Sequence, residues 1–271
     1  MKKWLGYTLL TLATISLAGG IALAQKKGGS MGCQDWGGDN RLQNHCEIKE
    51  QTVPAGGPIN VDAGRNGGVS VKGWDRGEIL IRTRVQTSAP SQAEADELAK
   101  QIQIETNGLH IQAEGPGDRK DFYWSVSYEL FVPRQSDLQL ESHNGGISIS
   151  DVHGKIEFNA TNGGVSLLRV GGNVHGGTTN GGLNVELSGD RWDGEELDVK
   201  TTNGGVSMSV PENYSAHLET GTVNGSVSVD FPVTVQGRIT KEISVNLGAG
   251  GPTVRAMTTN GGIKLKRSTA N

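Results

Sequence analysis

The sequence predicts an all-β fold: a β-solenoid-like stack of short strands with Asn-Gly-Gly corners, preceded by a less regular β-rich part that carries one short helix. Three observations predict it. A six-residue phrase, Asn-Gly-Gly followed by an apolar, a polar and an apolar residue, recurs from Asn66, Asn144, Asn162, Asn180, Asn203, Asn224 and Asn260, with Ser226 in place of the second glycine in one copy. Glycine supplies 41 of 271 residues and aromatics only 5 %, a composition of many turns and few large side chains. The steps from Asn144 to Asn162 and on to Asn180 are 18 residues each. That leaves room for a second strand, so the repeating unit is a whole coil.

Taken in order, residues 1–24 read as a signal peptide. Lys2 and Lys3 precede an apolar run, and Ala22-Leu23-Ala24 is a small-x-small cleavage site. The rival is a retained anchor, because the 21 residues Trp4 to Ala24 are uncharged and about long enough to span a bilayer. Residues 25–46 form a polar, glycine-rich lead-in. It holds the only cysteines, Cys33 and Cys46, which an oxidising compartment would join as a disulfide.

Residues 47–134 form the less regular β-rich part. Glu78 to Thr87 and Tyr123 to Val132 alternate apolar and polar residues as half-buried strands do. Ile102 to Glu105 and Leu109 to Ala113 flank Asn107-Gly108 and predict a hairpin. Ser91-Gln92-Ala93-Glu94 is a capping box that opens a helix to about Lys100.

Residues 135–267 form the repeat part, continuous with 47–134 as one domain. Asn and Gly accept positive φ at least cost, which explains a tight corner. The apolar-polar-apolar triplet after it is a short strand with one buried face. One coil buries too little apolar surface to fold alone, so coils must stack. A meander of Asn-Gly hairpins is the competing arrangement. The longer steps of 23, 21 and 36 residues place extra chain at Gly189–Glu196, Pro211–Ser215 and Pro232–Pro252.

At these residues the chain resembles the bacterial putative-adhesin family, also called the toast-rack β-repeat family. The resemblance rests on the Asn-Gly-Gly copies, on Val71-Lys72-Gly73-Trp74-Asp75-Arg76, and on Trp124-Ser125-Val126-Ser127-Tyr128 leading to Val132-Pro133-Arg134. It covers roughly Cys33 to Lys266. It implies an exported, envelope-facing β-solenoid and brings no catalytic residues with it.

Chemistry is sparse. The net charge is −4, with no basic patch for nucleic acid. Gly28-Gly29-Ser30-Met31-Gly32 has the spelling of a nucleophile elbow without its strand-turn-helix context. Asp190, Asp193, Glu195, Glu196 and Asp198 could offer oxygens to calcium, but not at the spacing of a known calcium loop. The six histidines are scattered, with His143 and His153 the one pair that could meet across a coil. Trp74, Trp124 and Trp192 could stack on sugars if exposed, though aromatics in β-proteins more often serve the core.

No catalytic, cofactor-binding or metal-binding set is assigned, and no cofactor is expected. The expected function is that of a non-catalytic exported cell-envelope module, adhesin-like or scaffolding, periplasmic or on the cell surface. Its partner would be an envelope protein or glycan, with no nucleic acid, and with the membrane only if the leader is kept as an anchor. Two alternatives stand beside it. One is a polysaccharide-active enzyme using Glu186, Asp190 and Asp193. The other is a self-assembling filament, joined through open strand edges, with Lys264, Lys266 and Arg267 guarding one end.

Overall fold

The computed structural model describes residues 31–33, 41–232 and 241–268. The expected leader, most of the elbow-like string and part of the lead-in lie outside them. Among the described residues no helix is long and apolar enough to cross a membrane.

The described chain runs β1 (Gln43–Pro54), β2 (Ile59–Asp62), β3 (Val69–Trp74), β4 (Glu78–Ala89), α1 (Gln92–Lys100), β5 (Gln103–Glu105), β6 (His110–Glu114), β7 (Tyr123–Pro133) and β8 (Leu138–Ser142). It continues through β9 (Ile147–Ser150), β10 (His153–Asn162), β11 (Val165–Leu168), β12 (Gly171–Asn180), β13 (Leu183–Glu186), β14 (Glu196–Asn203) and β15 (Val206–Val210). The last strands are β16 (Ala216–Asn224), β17 (Val227–Val229), β18 (Glu242–Leu247), β19 (Thr253–Asn260) and β20 (Ile263–Arg267).

These strands form two ten-stranded sheets. Sheet one has the order β1-β4-β7-β3-β9-β11-β13-β15-β20-β17, and sheet two the order β18-β16-β19-β14-β12-β10-β8-β2-β6-β5. Each coil lays one strand in sheet two, turns at its Asn-Gly-Gly corner, and lays the next strand in sheet one. Pairing between coils is parallel: Val165 pairs with Ile147 on one side and Leu183 on the other. This is a solenoid, and the hairpin meander is excluded.

The alternation read from sequence sets what lies inside. Ile147 and Ile149, Val165 and Leu167, Leu183 and Val185, Val206 and Met208 are buried. They meet Ile156, Val174, Leu197 and Val199 from sheet two in one continuous core.

The helix and the hairpin form where the sequence places them. The Ser91 Oγ accepts the Glu94 backbone N–H, and the Glu94 carboxylate accepts the Ser91 hydroxyl instead of reaching back to the backbone. β5 and β6 pair antiparallel. β4 and β7 pair antiparallel within sheet one, and β7 joins the stack through parallel pairing with β3. The first coil, β2 and β3, stacks directly on β8 and β9, although Ile59 and its partner Leu138 are 79 positions apart in sequence.

Two expectations need correction. The coils do not stack in sequence order: β19 and β20, the last coil, lie between β14/β15 and β16/β17. Lys264, Lys266 and Arg267 therefore sit inside the stack instead of guarding its end. Positive φ also does not explain the corners. No Asn of the repeat and neither corner glycine has it.

Candidate interaction surface

The corner is shaped by close approach between coils. A Cβ at Gly145, Gly163, Gly181, Gly204 or Gly261 would stand 2.0–2.2 Å from the carbonyl oxygen of the first corner glycine in the preceding coil. At Gly225 the same clash is 1.9 Å, against Gly261. Backbone occupies the space a side chain needs, so only glycine fits. The second glycine faces the following coil with more room, 3.0–3.6 Å for the six true glycines from Gly68 to Gly262. Ser226 takes this position in the outermost coil. There, among the described residues, no further coil follows, so a side chain is tolerated.

Two side-chain ladders brace the corner. The seven repeat asparagines stack as Asn66, Asn144, Asn162, Asn180, Asn203, Asn260 and Asn224, each amide N–H₂ donating to the Oδ1 of its predecessor at 2.8–3.0 Å. All six bonds point the same way, so their dipoles add.

Two residues before the asparagine, a buried hydroxyl caps a glycine carbonyl of the neighbouring coil. Thr178 donates to Gly163, Thr201 to Gly181, Thr258 to Gly204 and Thr222 to Gly261, at 2.7–2.8 Å. Ala160 breaks the series, and the Ser142 hydroxyl stands within 2.9 Å of the Gly145 carbonyl it would have served. This ladder escaped the sequence reading. Its signal was present: Thr stands two places before the asparagine in four copies.

Over the corner lies a groove of about 920 Å³, along the outer face of sheet one. Its floor is the column of second glycines from Gly68 to Gly262. One wall is a row of Ser70, Ser148, Ser166, Asn184, Ser207 and Lys264, neighbours in register. Arg84 and Met31 line the other end. The lining contains no carboxylate, imidazole or thiol. Beyond Ser70 the row reaches Glu129, which is 3 % exposed and held by Lys72 at 2.7 Å and Arg82 at 3.4 Å.

The outer face of sheet two is charged instead. Glu157, His175, Asp198, Arg255 and Glu219 follow one another in register across five strands. Lys155 stands 2.8 Å from Glu157 and Arg255 3.4 Å from Glu219. The Lys155 ammonium holds the Glu157 carboxyl below the usual carboxylate range.

A protein-family profile matches residues 52–266, under the description Toastrack DUF4097. The chain belongs to this family. The toastrack stack is similar in structure to a putative cell adhesion protein from Clostridium sporogenes, at 12 % identity and TM-score 0.43, covering 82 % of this chain and 100 % of that one. It is also similar to a putative adhesin from Bacteroides fragilis, at 11 % identity and TM-score 0.30, covering 82 % and 97 %. A third, from Parabacteroides distasonis, has 12 % identity and TM-score 0.29, covering 80 % and 97 %. No curated protein matches the chain.

The toastrack fold separates the acidic residues singled out by spacing. Glu186 lies in sheet one against Arg169, 3.0 Å away, which also grips Asp151 through two bonds of 2.8 Å. Asp190 lies against Arg191, Asp193 against His153, and Glu195 accepts from Asn173. Glu196 and Asp198 are on β14. No group of three or more metal-ligating side chains converges among the described residues.

His143 adjoins the Asn144 corner while His153 opens β10 at the opposite edge, so the two do not meet. Trp192 is 3 % exposed and its indole N–H donates to the Gly172 carbonyl. Trp74 lies beneath the Arg76 guanidinium, and Trp124 donates to the Pro116 carbonyl. None of the three lines the groove. Cys33 and Cys46 form a disulfide with a Cα–Cα separation of 5.8 Å. It fastens the lead-in to β1, and the Gly32 carbonyl accepts from Arg84 at 3.0 Å.

Proposed function

We propose that this toastrack chain is a non-catalytic, exported interaction module of the cell envelope, adhesin-like in its mode of action, that offers the groove of sheet one to an envelope protein or glycan. One observation carries this reading. A 920 Å³ groove runs along six coils with hydroxyl, amide and peptide groups in register, and with no acid, imidazole or thiol in its lining. Such a surface can hold a partner by hydrogen bonding and contact. It lacks the paired titratable groups that acid-base or nucleophilic chemistry needs. The disulfide fits an oxidising compartment.

The test is retention of the mature chain, residues 25–271, by peptidoglycan, envelope glycan and envelope protein fractions. We expect retention by one fraction without its degradation. Ser166→Arg, which fills the middle of the groove with a long charged side chain, should weaken retention at least tenfold. Conversion of a fraction into smaller products, or retention unchanged by Ser166→Arg, would overturn the reading.

A further inference from the structure

We infer that the C-terminal coil, β19 and β20, is an exchangeable insert that can fill the same slot in a second copy of this chain. This exchange stands apart from the envelope reading and does not depend on it.

The slot is defined by stacking order. The coil that comes last in sequence takes the next-to-last place in the stack and displaces the preceding coil, β16 and β17, outward. Its neighbours on the two sides use the same bonds. Toward β14/β15, Thr258 donates to the Gly204 carbonyl at 2.7 Å and Asn260 to Asn203 Oδ1 at 2.8 Å. Toward β16/β17, Thr222 donates to the Gly261 carbonyl and Asn224 to Asn260 Oδ1, each at 2.8 Å. Backbone bonds repeat too: Val206 N–H donates to Gly262 O, and Ile263 N–H to Ser226 O, both at 2.9 Å.

With the insert withdrawn, the outer coil carries the right groups to close the gap. Thr222, Asn224, Gly225 and Ser226 occupy the repeat positions of Thr258, Asn260, Gly261 and Gly262. They can therefore make the same bonds to Asn203, Gly204 and Val206. In the part of the stack left behind, the open form leaves no corner carbonyl or amide unserved, and the freed groups of the withdrawn coil, Gly261 O, Gly262 O and the Ile263 N–H, turn to water. That removes the main penalty against releasing a strand pair. An insert accepted from another copy would restore every contact of the closed form, so exchange alters where contacts are made and not which ones.

The connection is suited to this. β18 flanks β16 on one side and β19 flanks it on the other, so residues 248–252 must cross the end of β16. Gly248, Gly250 and Gly251 have φ of 52°, 74° and 140°, a backbone path that few side chains adopt. Straightening this link carries the coil away from its own slot and toward a neighbour's.

The test uses two variants of the mature chain, Ser207→Cys and Lys264→Cys, each adding one cysteine to the disulfide-bonded Cys33 and Cys46. These positions face solvent and are Cα partners across the inner boundary of the slot, and adjacent parallel strands are about 4.8 Å apart, close enough for a disulfide. The two variants are mixed at high concentration, taken through partial unfolding and back, and oxidised. We expect a disulfide-linked heterodimer at least fivefold more abundant than the homodimers formed by either variant alone. Equal yields in the mixture and in the single samples would overturn the inference. A second variant lacks Ala249 and Gly250. It should shift from monomer to dimer in light scattering, because the shortened link no longer reaches across β16. A folded, monomeric deletion variant would also overturn it.

Discussion

The stack has two edges, and they are built on different rules. At the Asn-Gly-Gly edge every coil is the same: one asparagine bond, one first glycine pressed on a carbonyl, one strand pair in register. At the opposite edge the turns differ in length from one part of the stack to another, and only the two 18-residue coils turn alike. Asp151 and Arg169 take left-handed φ of 57° and 53°, the next turn is a long loop closed by buried Leu187 and Trp192, and the one after it is closed by buried Tyr214.

Positive-φ glycines do occur there, at Gly154, Gly172 and Gly194. Left-handed backbone thus marks this edge and not the repeat corner. The uniform edge fixes register and makes coils interchangeable. The variable edge absorbs changes in length. This division allows steps of 18 and 23 residues in one stack.

Lengthening each edge in turn should separate the two most strongly. Three residues, Gly-Ser-Gly, inserted between Gly164 and Val165 should abolish cooperative folding, because no space exists between corner backbones. The same insertion between Ser188 and Gly189 should cost less than about 1 kcal/mol, since loop entropy grows slowly with length. Urea unfolding of both variants decides. Similar losses would deny the difference between the edges.

A smaller effect separates the two corner glycines. Gly163→Ala places a Cβ 2.1 Å from the Gly145 carbonyl and should cost about 3 kcal/mol or more through forced backbone movement. Gly164→Ala meets its nearest atom at 3.4 Å and should stay within about 1 kcal/mol of the parent. Equal unfolding midpoints would show that close approach is not what selects glycine.

Smaller again is the buried hydroxyl ladder. Thr201→Val leaves the Gly181 carbonyl without its side-chain donor and should cost about 1–2 kcal/mol. An unchanged denaturation curve would reduce that ladder to mere packing.

The smallest effect lies outside both edges' packing. Hydrogen bonds and charge from Arg134 hold the Asp75 carboxyl below the usual carboxylate range. A depressed folded pKa gives stability that is present above the unfolded value of about 3.9 and disappears as pH falls through the folded value. Asp75→Asn should therefore flatten the acid limb of the stability profile slightly, and salt should erase the difference because the pair is exposed. An acid limb identical at low salt would show that the pair contributes nothing.

Much of this fold was legible because its information is local and repeated. Asn162-Gly163-Gly164-Val165-Ser166-Leu167 states a corner, a buried face and a register in six residues, and the copies confirm one another. The helix at Ser91 and the hairpin around Asn107-Gly108 are local signals of the same kind. What escaped depends on neighbours far apart in sequence. The place of β19 between β14 and β16 is fixed by which coil meets which, and all coils share one grammar, so order cannot be read from the repeat alone. Ser226 was the available clue: a side chain where every other copy has glycine marks the coil with an open side. The groove was legible only as a row of serines. The absence of acids from its lining follows from that row itself, because the residue between the two apolar ones is Ser, Asn or Lys in every coil that lines it.

A uniform edge lets the last coil insert out of order, and disulfide trapping reads that order. Two double variants are oxidised as dilute monomers: Ser207→Cys with Lys264→Cys, and Ser207→Cys with Ser228→Cys. Ser207 and Lys264 are partners on adjacent strands, while Ser228 lies one strand further, beyond Lys264. The stack described here predicts an intramolecular disulfide in the first variant and none in the second. A disulfide in the second variant but not the first would mean that the coils stack in sequence order and that β19 and β20 are not inserted.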